Sequence, residues 1–225
     1  MSKLMIIFPG IGYTPDKPLL YYGRKTAEKA GYECLAVSYD FHGDKGKIRG
    51  NAEKMQEVFQ ELYAQTKEAL KDVDLSSYEE VLFLSKSVGT VIAAAYAKEL
   101  QASCPEQENE TRPATCPVIR QVFYTPLEAT FSLASGDSCE PGQAYTSGQA
   151  NVPGQTYAPG QAIGFLGTAD PWSDPKEVLR LAGLWQVPMN VYEKANHSLE
   201  TGDIGADLDI LKDVAEKTGK FLNRS

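Results

Sequence analysis

Residues 82–97 read LFLSKSVGTVIAAAYA, and the stretch changes character at its middle. Leu82-Phe83-Leu84 ends a run of large apolar residues of the kind that forms a buried strand. From Val88 onward, Gly89 and a series of alanines give a small-faced helix that can pack closely on a sheet. The pivot is Ser85-Lys86-Ser87-Val88-Gly89, close to Gly-x-Ser-x-Gly with a serine in place of the first glycine. A serine at the centre of a tight strand–turn–helix is lifted clear of the sheet. The residues two before and two after it must be small, because the turn brings the strand and helix backbones together. Ser85 and Gly89 satisfy that steric demand. Alone, small–x–Ser–x–Gly is a weak signal, since it recurs by chance.

The rest of the chain supplies the context. Further short apolar runs occur at 4–8 (LMIIF), 34–39 (CLAVSY), 80–85 (EVLFLS), 118–125 (VIRQVFYT), 162–167 (AIGFLG) and 188–193 (PMNVYE). Their lengths suit strands, and most end at Gly, Pro or Asp. Helical patterns alternate with them. One starts at the Asn51 cap and carries Met55, Val58, Phe59, Leu62, Tyr63, Ala69 and Leu70. Others are expected over 88–100 and 175–181, and a C-terminal helix presents Ile204, Leu208, Leu211, Val214, Ala215 and Leu222 on one face. Alternation of this kind predicts a mainly parallel six-stranded α/β sheet with helices on both faces, as a single domain over 1–225. The segment 136–161, GDSCEPGQAYTSGQANVPGQTYAPGQ, is too rich in Gly, Pro and Gln to build a core. It is expected to be a surface loop, with a lid as the alternative.

Bulk properties narrow the partners. The chain has 225 residues and a net charge of −8, with no Lys/Arg cluster, which argues against nucleic acid or an anionic membrane as partner. The N-terminal apolar run is too short for a secretion signal, and no run reaches the roughly 20 residues of a membrane span. A cytoplasmic location is therefore expected. The cysteines Cys34, Cys104, Cys116 and Cys139 show no metal-ligand spacing. Cys104 and Cys116 bracket a polar loop that a disulfide could close, but a reducing compartment favours free thiols.

A serine hydroxyl needs a base, and the base needs an orienting acid. The chain holds two histidines. His42 lies in the polar loop DFHGDKG, whereas His197, in NHSLE, follows the last apolar run and precedes the C-terminal helix. Asp170, in GTADPW, follows the run 162–167. Asp174 is its rival, but its place before Pro175 suits a helix cap. Ser87, Asp170 and His197 thus occur in that order, each just past a strand.

With SKSVG, GTADPW and NHSLE in those contexts, the sequence resembles the small bacterial α/β hydrolases of the dienelactone-hydrolase-like kind, over nearly the whole chain. The resemblance implies a minimal α/β-hydrolase fold with Ser87, Asp170 and His197 as nucleophile, acid and base. It further implies an oxyanion hole from the backbone N–H groups of Val88 and of Ile11, in the loop FPGIGYT, where Pro9 stands in place of the family's usual histidine. Tyr13, Lys86, Tyr124, Phe131 and Trp172 lie around this edge as candidate pocket residues, and Lys86 is expected to extend into solvent, with attraction of an anionic acyl substrate as the alternative. The implied activity is hydrolysis of a small ester or thioester without metal or organic cofactor. The alternatives are an acyltransferase or peptidase using the same residues, and a non-catalytic binding protein of the same fold. The sequence is silent on oligomeric state.

Overall fold

The computed structural model describes residues 2–103, 116–133, 157, 158 and 160–223. Six strands form one all-parallel sheet: β1 (Lys3–Phe8), β2 (Glu33–Ala36), β3 (Glu80–Lys86), β4 (Val118–Tyr124), β5 (Ala162–Gly167) and β6 (Met189–Tyr192), in the order β2-β1-β3-β4-β5-β6. The connecting helices are α1 (Pro18–Lys29), α2 (Ala52–Leu70), α3 (Val88–Ala102), α4 (Glu128–Ser132), α5 (Pro175–Leu184) and α6 (Ile204–Leu222). The sheet is covered on both sides, which is why its central strands read as unbroken apolar runs. Leu4, Ile6, Phe8, Val81 and Phe83 face α2 and α3. The residues between them, Met5, Ile7, Leu82 and Leu84, join Val122, Tyr124 and Phe165 against α1 and α6. A third cluster packs Phe123, Phe131, Leu166 and Trp185 under α5.

The strand runs are found close to where the apolar pattern puts them. β2 stops at Ala36, short of the expected 39. It is an edge strand, with Val37 N–H still reaching the Ile7 carbonyl at 3.0 Å. The Asn51 cap is real: its side chain accepts Lys54 N–H at 3.0 Å. Two helices lack a sequence signal, α1 and the short α4. α1 buries Leu19, Leu20, Gly23 and Ala27, a stripe half made of small residues, so it shows little apolar periodicity. The C-terminal helix departs from expectation at its start. Ile204 and Leu208 are 79% and 62% exposed, because α6 docks on the sheet only from Ile210 and Leu211 onward.

Most of the 136–161 segment lies outside the described residues. Its described end is anchored: Tyr157 is buried, its hydroxyl accepts Gln121 Nε2 at 2.6 Å, and its N–H donates to the Trp185 carbonyl at 3.0 Å. Cys34 is a free thiol. Cys116 is disulfide-bonded, against the expectation of free thiols, and its partner lies outside the described residues, as do Cys104 and Cys139. Among the described residues no helix is long and apolar enough to cross a membrane.

Candidate active site

In an open parallel sheet the strand order reverses at one point, and the loops leaving the carboxyl ends of the two strands there diverge to open a crevice. Here that point lies between β1 and β3. The loop after β1 carries Ile11, and the turn after β3 carries Ser87.

Ser87 has φ 57° and ψ −128°, a backbone conformation rarely adopted outside glycine. The geometry is enforced on both sides. Ser87 N–H donates to the Tyr124 carbonyl at 3.0 Å, and α3 begins at once with Val88. Gly89 lies so close to β1 that a Cβ there would clash with the Phe8 and Pro9 carbonyl oxygens. This is the steric demand that the small residue at 89 meets. Ser85 meets the corresponding demand. It is fully buried, and its hydroxyl donates to the Val122 carbonyl at 2.9 Å, tying β3 to β4 beneath the turn.

The three separated residues come together. His197 Nε2 lies 2.8 Å from Ser87 Oγ, and His197 Nδ1 lies 2.6 Å from Asp170 Oδ2. The Asp170 side chain is fully buried, and its other oxygen accepts Trp172 N–H at 2.8 Å. The histidine loop is held against β5 by a close backbone approach. Ala169 N–H donates to the Ala195 carbonyl at 3.0 Å, and a Cβ at Gly167 would clash with that same carbonyl. Burial lowers the pKa of His197 below its ordinary value, the Lys86 charge lowers it further, and the Asp170 hydrogen bond and charge oppose both. Asp174 proves to be the cap: its side chain accepts Lys176 N–H at 3.0 Å at the start of α5. His42 is exposed and pairs with Asp40 at 3.1 Å.

In the loop after β1, Gly10 to Tyr13 form a tight turn closed by Tyr13 N–H to the Gly10 carbonyl at 3.0 Å, with Gly12 at φ 73°. That bond leaves the Ile11 N–H outside the turn's own pairing. Val88 is the first residue of α3, where backbone N–H groups lack intrahelical acceptors and the helix dipole favours negative charge. Gly10 packs directly on the turn at Ser87, its Cβ position 3.1 Å from Ser87 Cβ.

The pocket candidates separate into three kinds. Trp172 is 38% exposed, with its ring centroid 6.2 Å from that of His197. Tyr124 and Phe131 belong to the core instead; the Tyr124 hydroxyl lies 3.0 Å from Thr218 Oγ1 on α6. Lys86 is not solvated as expected. It is 1% exposed and lies with Nζ 4.9 Å from the centroid of the Tyr13 ring. Residues that sequence reasoning missed are Thr125 and Glu128. Thr125 follows β4 with φ 45° and a buried, unpartnered hydroxyl. Glu128 accepts Asp174 N–H at 2.5 Å and so braces the start of α5 after the Asp170 loop.

The sequence matches no family model and no curated relative. Its fold is similar to that of an α/β serine hydrolase homologue from Coxiella burnetii, with 14% identity and a TM-score of 0.55 over 96% of this chain and 84% of that one. The esterase Pf2001 of Pyrococcus furiosus is similar at 15% identity and TM-score 0.56, over 99% and 83% of the two chains. Est1E of Butyrivibrio proteoclasticus, in a structure with bound ferulic acid, is similar at 11% identity and TM-score 0.57, over 99% and 88%. The chain has the α/β-hydrolase fold. The narrower resemblance to dienelactone hydrolases rests on the sequence motifs alone.

Proposed function

We propose that the protein is a serine hydrolase that cleaves a small ester or thioester. The observation that carries this reading is the hydrogen-bonded chain from Asp170 through His197 to Ser87, at 2.6 and 2.8 Å, ending on a serine in a strained turn at the switch point of the sheet. Ser87 Oγ attacks the substrate carbonyl while His197 Nε2 takes its proton. The Asp170 carboxylate holds the ring by Nδ1 and offsets the imidazolium charge that forms. The N–H groups of Val88 and Ile11 receive the developing oxyanion. His197 then protonates the departing alcohol or thiol, leaving an acyl ester on Ser87. A water molecule, deprotonated by His197, attacks that ester, and collapse of the second tetrahedral intermediate returns the free serine. The likeness to esterases and serine hydrolases supports the reading at the level of a hydrolase.

The test is covalent labelling with a fluorophosphonate, together with turnover of short-chain aryl esters. Wild type is expected to label and to turn over, and Ser87→Ala and His197→Ala to do neither. A folded wild type that neither labels nor hydrolyses any such ester sinks the proposal. Identification of the acyl product, as free acid or as an adduct of an added alcohol, separates hydrolysis from transfer.

A further inference from the structure

Ser87 and Val88 are joined by one peptide plane, and its orientation bears on the roles of both. In a trans peptide the carbonyl and the N–H point in opposite directions from one rigid plane. The Ser87 carbonyl and the Val88 N–H share such a plane, and no peptide bond among the described residues is cis. Whatever grips that carbonyl therefore aims that N–H.

Two threonines grip it. Thr90, in the first turn of α3, donates its hydroxyl to the Ser87 carbonyl at 2.6 Å, and its N–H reaches the same oxygen at 2.9 Å. Thr90 Oγ1 lies 2.6 Å from Thr130 Oγ1 on α4, and Thr130 Oγ1 accepts Leu127 N–H at 3.1 Å. A hydroxyl has one proton to give. The Thr90 proton goes to the carbonyl, so Thr130 supplies the one between the two threonines. The donors then run one way: Leu127 N–H to Thr130, Thr130 to Thr90, Thr90 to the Ser87 carbonyl. Both threonines are fully buried, where such a chain is stronger than in water and each bond polarises the next.

The N–H side of Ser87 is held from the same segment. β4 ends at Tyr124, whose carbonyl accepts Ser87 N–H at 3.0 Å, and α4 follows at Glu128. β4 and α4 thus fix both backbone polar groups of a residue at φ 57°, a conformation that only surrounding structure maintains. Local preference explains part of this, since a threonine in a first helical turn often bonds back to a carbonyl three residues before it. It does not explain a second buried threonine, 40 residues away, set to donate to the first.

We propose that Thr90 and Thr130 are positioning residues that hold the Ser87–Val88 peptide plane and so keep the Val88 N–H aimed at the oxyanion position. This rests on the reading of Ser87 as nucleophile and of Val88 N–H as oxyanion donor. Neither hydroxyl touches the substrate; they act through the carbonyl on the far side of the donor. The donor is thereby set before the reaction begins, the condition under which it stabilises charge that develops only in the transition state.

The isosteric double variant Thr90→Val/Thr130→Val removes both hydroxyls together, leaving neither orphaned beside the other, so it should fold. With short-chain aryl esters its kcat is expected to fall about tenfold, with KM within about twofold of wild type. Affinity for an aryl trifluoromethyl ketone, which adds to the serine as a tetrahedral oxyanion, should weaken by the same factor as kcat/KM. Thr90→Ser keeps the donor and should hold kcat within about twofold of wild type; a serine variant as impaired as the double valine variant overturns the proposal. A folded double variant with unchanged kcat overturns it as well. So does a loss carried by KM alone, or one that spares the ketone, because the threonines then serve ground-state binding or stability. If the double variant does not fold, Thr130→Ala decides, since it leaves Thr90 on the carbonyl without its own donor. It should lower kcat about threefold, and an unchanged kcat overturns the proposal. A wild type that labels with fluorophosphonate and turns over, while these variants match it, defeats this inference alone. A wild type that does neither defeats the hydrolase reading.

Discussion

The two ends of the same sheet treat polar groups in opposite ways. At the amino end, Arg120 is almost fully buried and fully engaged. It pairs with Glu80 at 3.1 Å, donates to the Phe221 and Leu222 carbonyls at the end of α6, reaches the Gly160 carbonyl at 3.3 Å, and stacks over Phe221. Tyr32 donates to the same glutamate, and Lys3 approaches it at 3.8 Å. At the carboxyl end, Ser87 and Thr125 hold positive φ, the Thr125 and Ser173 hydroxyls are buried without partners, and Lys86 has no ion pair among the described residues. Lys194 and Leu199, in the histidine loop, also hold positive φ. One end locks the last helix to the sheet through Arg120, although Gln121 Oε1 beside it is buried without a partner and Gln186, before β6, holds positive φ. The other gathers more of the strained backbone, at Ser87, Thr125, Lys194 and Leu199, as the proposed catalytic role of this edge would lead one to expect.

Substitution at each end should test this contrast in opposite directions. Ser87→Gly is expected to lower turnover by about 10⁴-fold or more. It should also relieve the φ 57° strain, so that the denaturant midpoint stays level or rises by the equivalent of about 1 kcal/mol. A clear loss of stability would mean that the turn is not strained. At the other end, Arg120→Met should cost about 3 kcal/mol by leaving two helix carbonyls without their donor and Glu80 with only Tyr32 and Lys3 beside it. The surviving folded protein should keep its kcat/KM. Loss of activity in proportion to stability would show that the two ends are coupled.

A smaller effect follows from the histidine. Burial and then Lys86 lower the His197 pKa, and as the proposed base His197 must be neutral to act. The acid limb of kcat/KM should therefore lie below 6.5, with activity falling about tenfold per pH unit beneath the midpoint. Folding carries the same sign. An imidazole held neutral in the native state binds fewer protons than in the unfolded chain, so stability should rise with pH between the lowered value and 6.5. An acid limb above 6.5 would place the dominant influence with Asp170 instead.

Much of the carboxyl end was legible in the sequence because each proposed catalytic residue lies in the loop or turn that leaves a strand. LFL and FLG lie in buried strands and NVY in the partly exposed edge strand β6, and the loop that follows each run emerges at the sheet's carboxyl edge. Parallel strands put all such residues on one edge, so order and position sufficed to bring Ser87, Asp170 and His197 together. Lys86 was misread because a lysine in a turn is normally solvated; yet the alternation from Leu82 through Leu84 already assigns it to the inside. Helix α1 escaped notice because its buried stripe includes Gly23, where a Cβ would crowd the Tyr124 hydroxyl and the Leu84 methyls. A small residue chosen for close approach leaves no apolar signal. The Arg120 network was invisible for another reason: its partners lie up to 102 residues away, and no local pattern announces them.

Ser85 offers the finest distinction between the two roles. Its position in SKSVG is that of the first glycine of Gly-x-Ser-x-Gly, but in the structure it behaves as a member of the quiet end. It is fully buried, paired in register with Phe8 and Phe123, and hydrogen-bonded to the Val122 carbonyl. Restoring glycine removes that bond and adds backbone freedom inside a central strand, costs of about 1 kcal/mol each at most. It opens no clash and touches neither His197 nor the Val88 N–H. Ser85→Gly should therefore unfold at a denaturant midpoint lower by the equivalent of about 1–2 kcal/mol, with turnover and fluorophosphonate labelling within twofold or so of wild type. If turnover falls by tenfold or more while the fold survives, the Ser85 hydroxyl helps set the nucleophile turn, and the division between the two ends runs through this residue rather than above it.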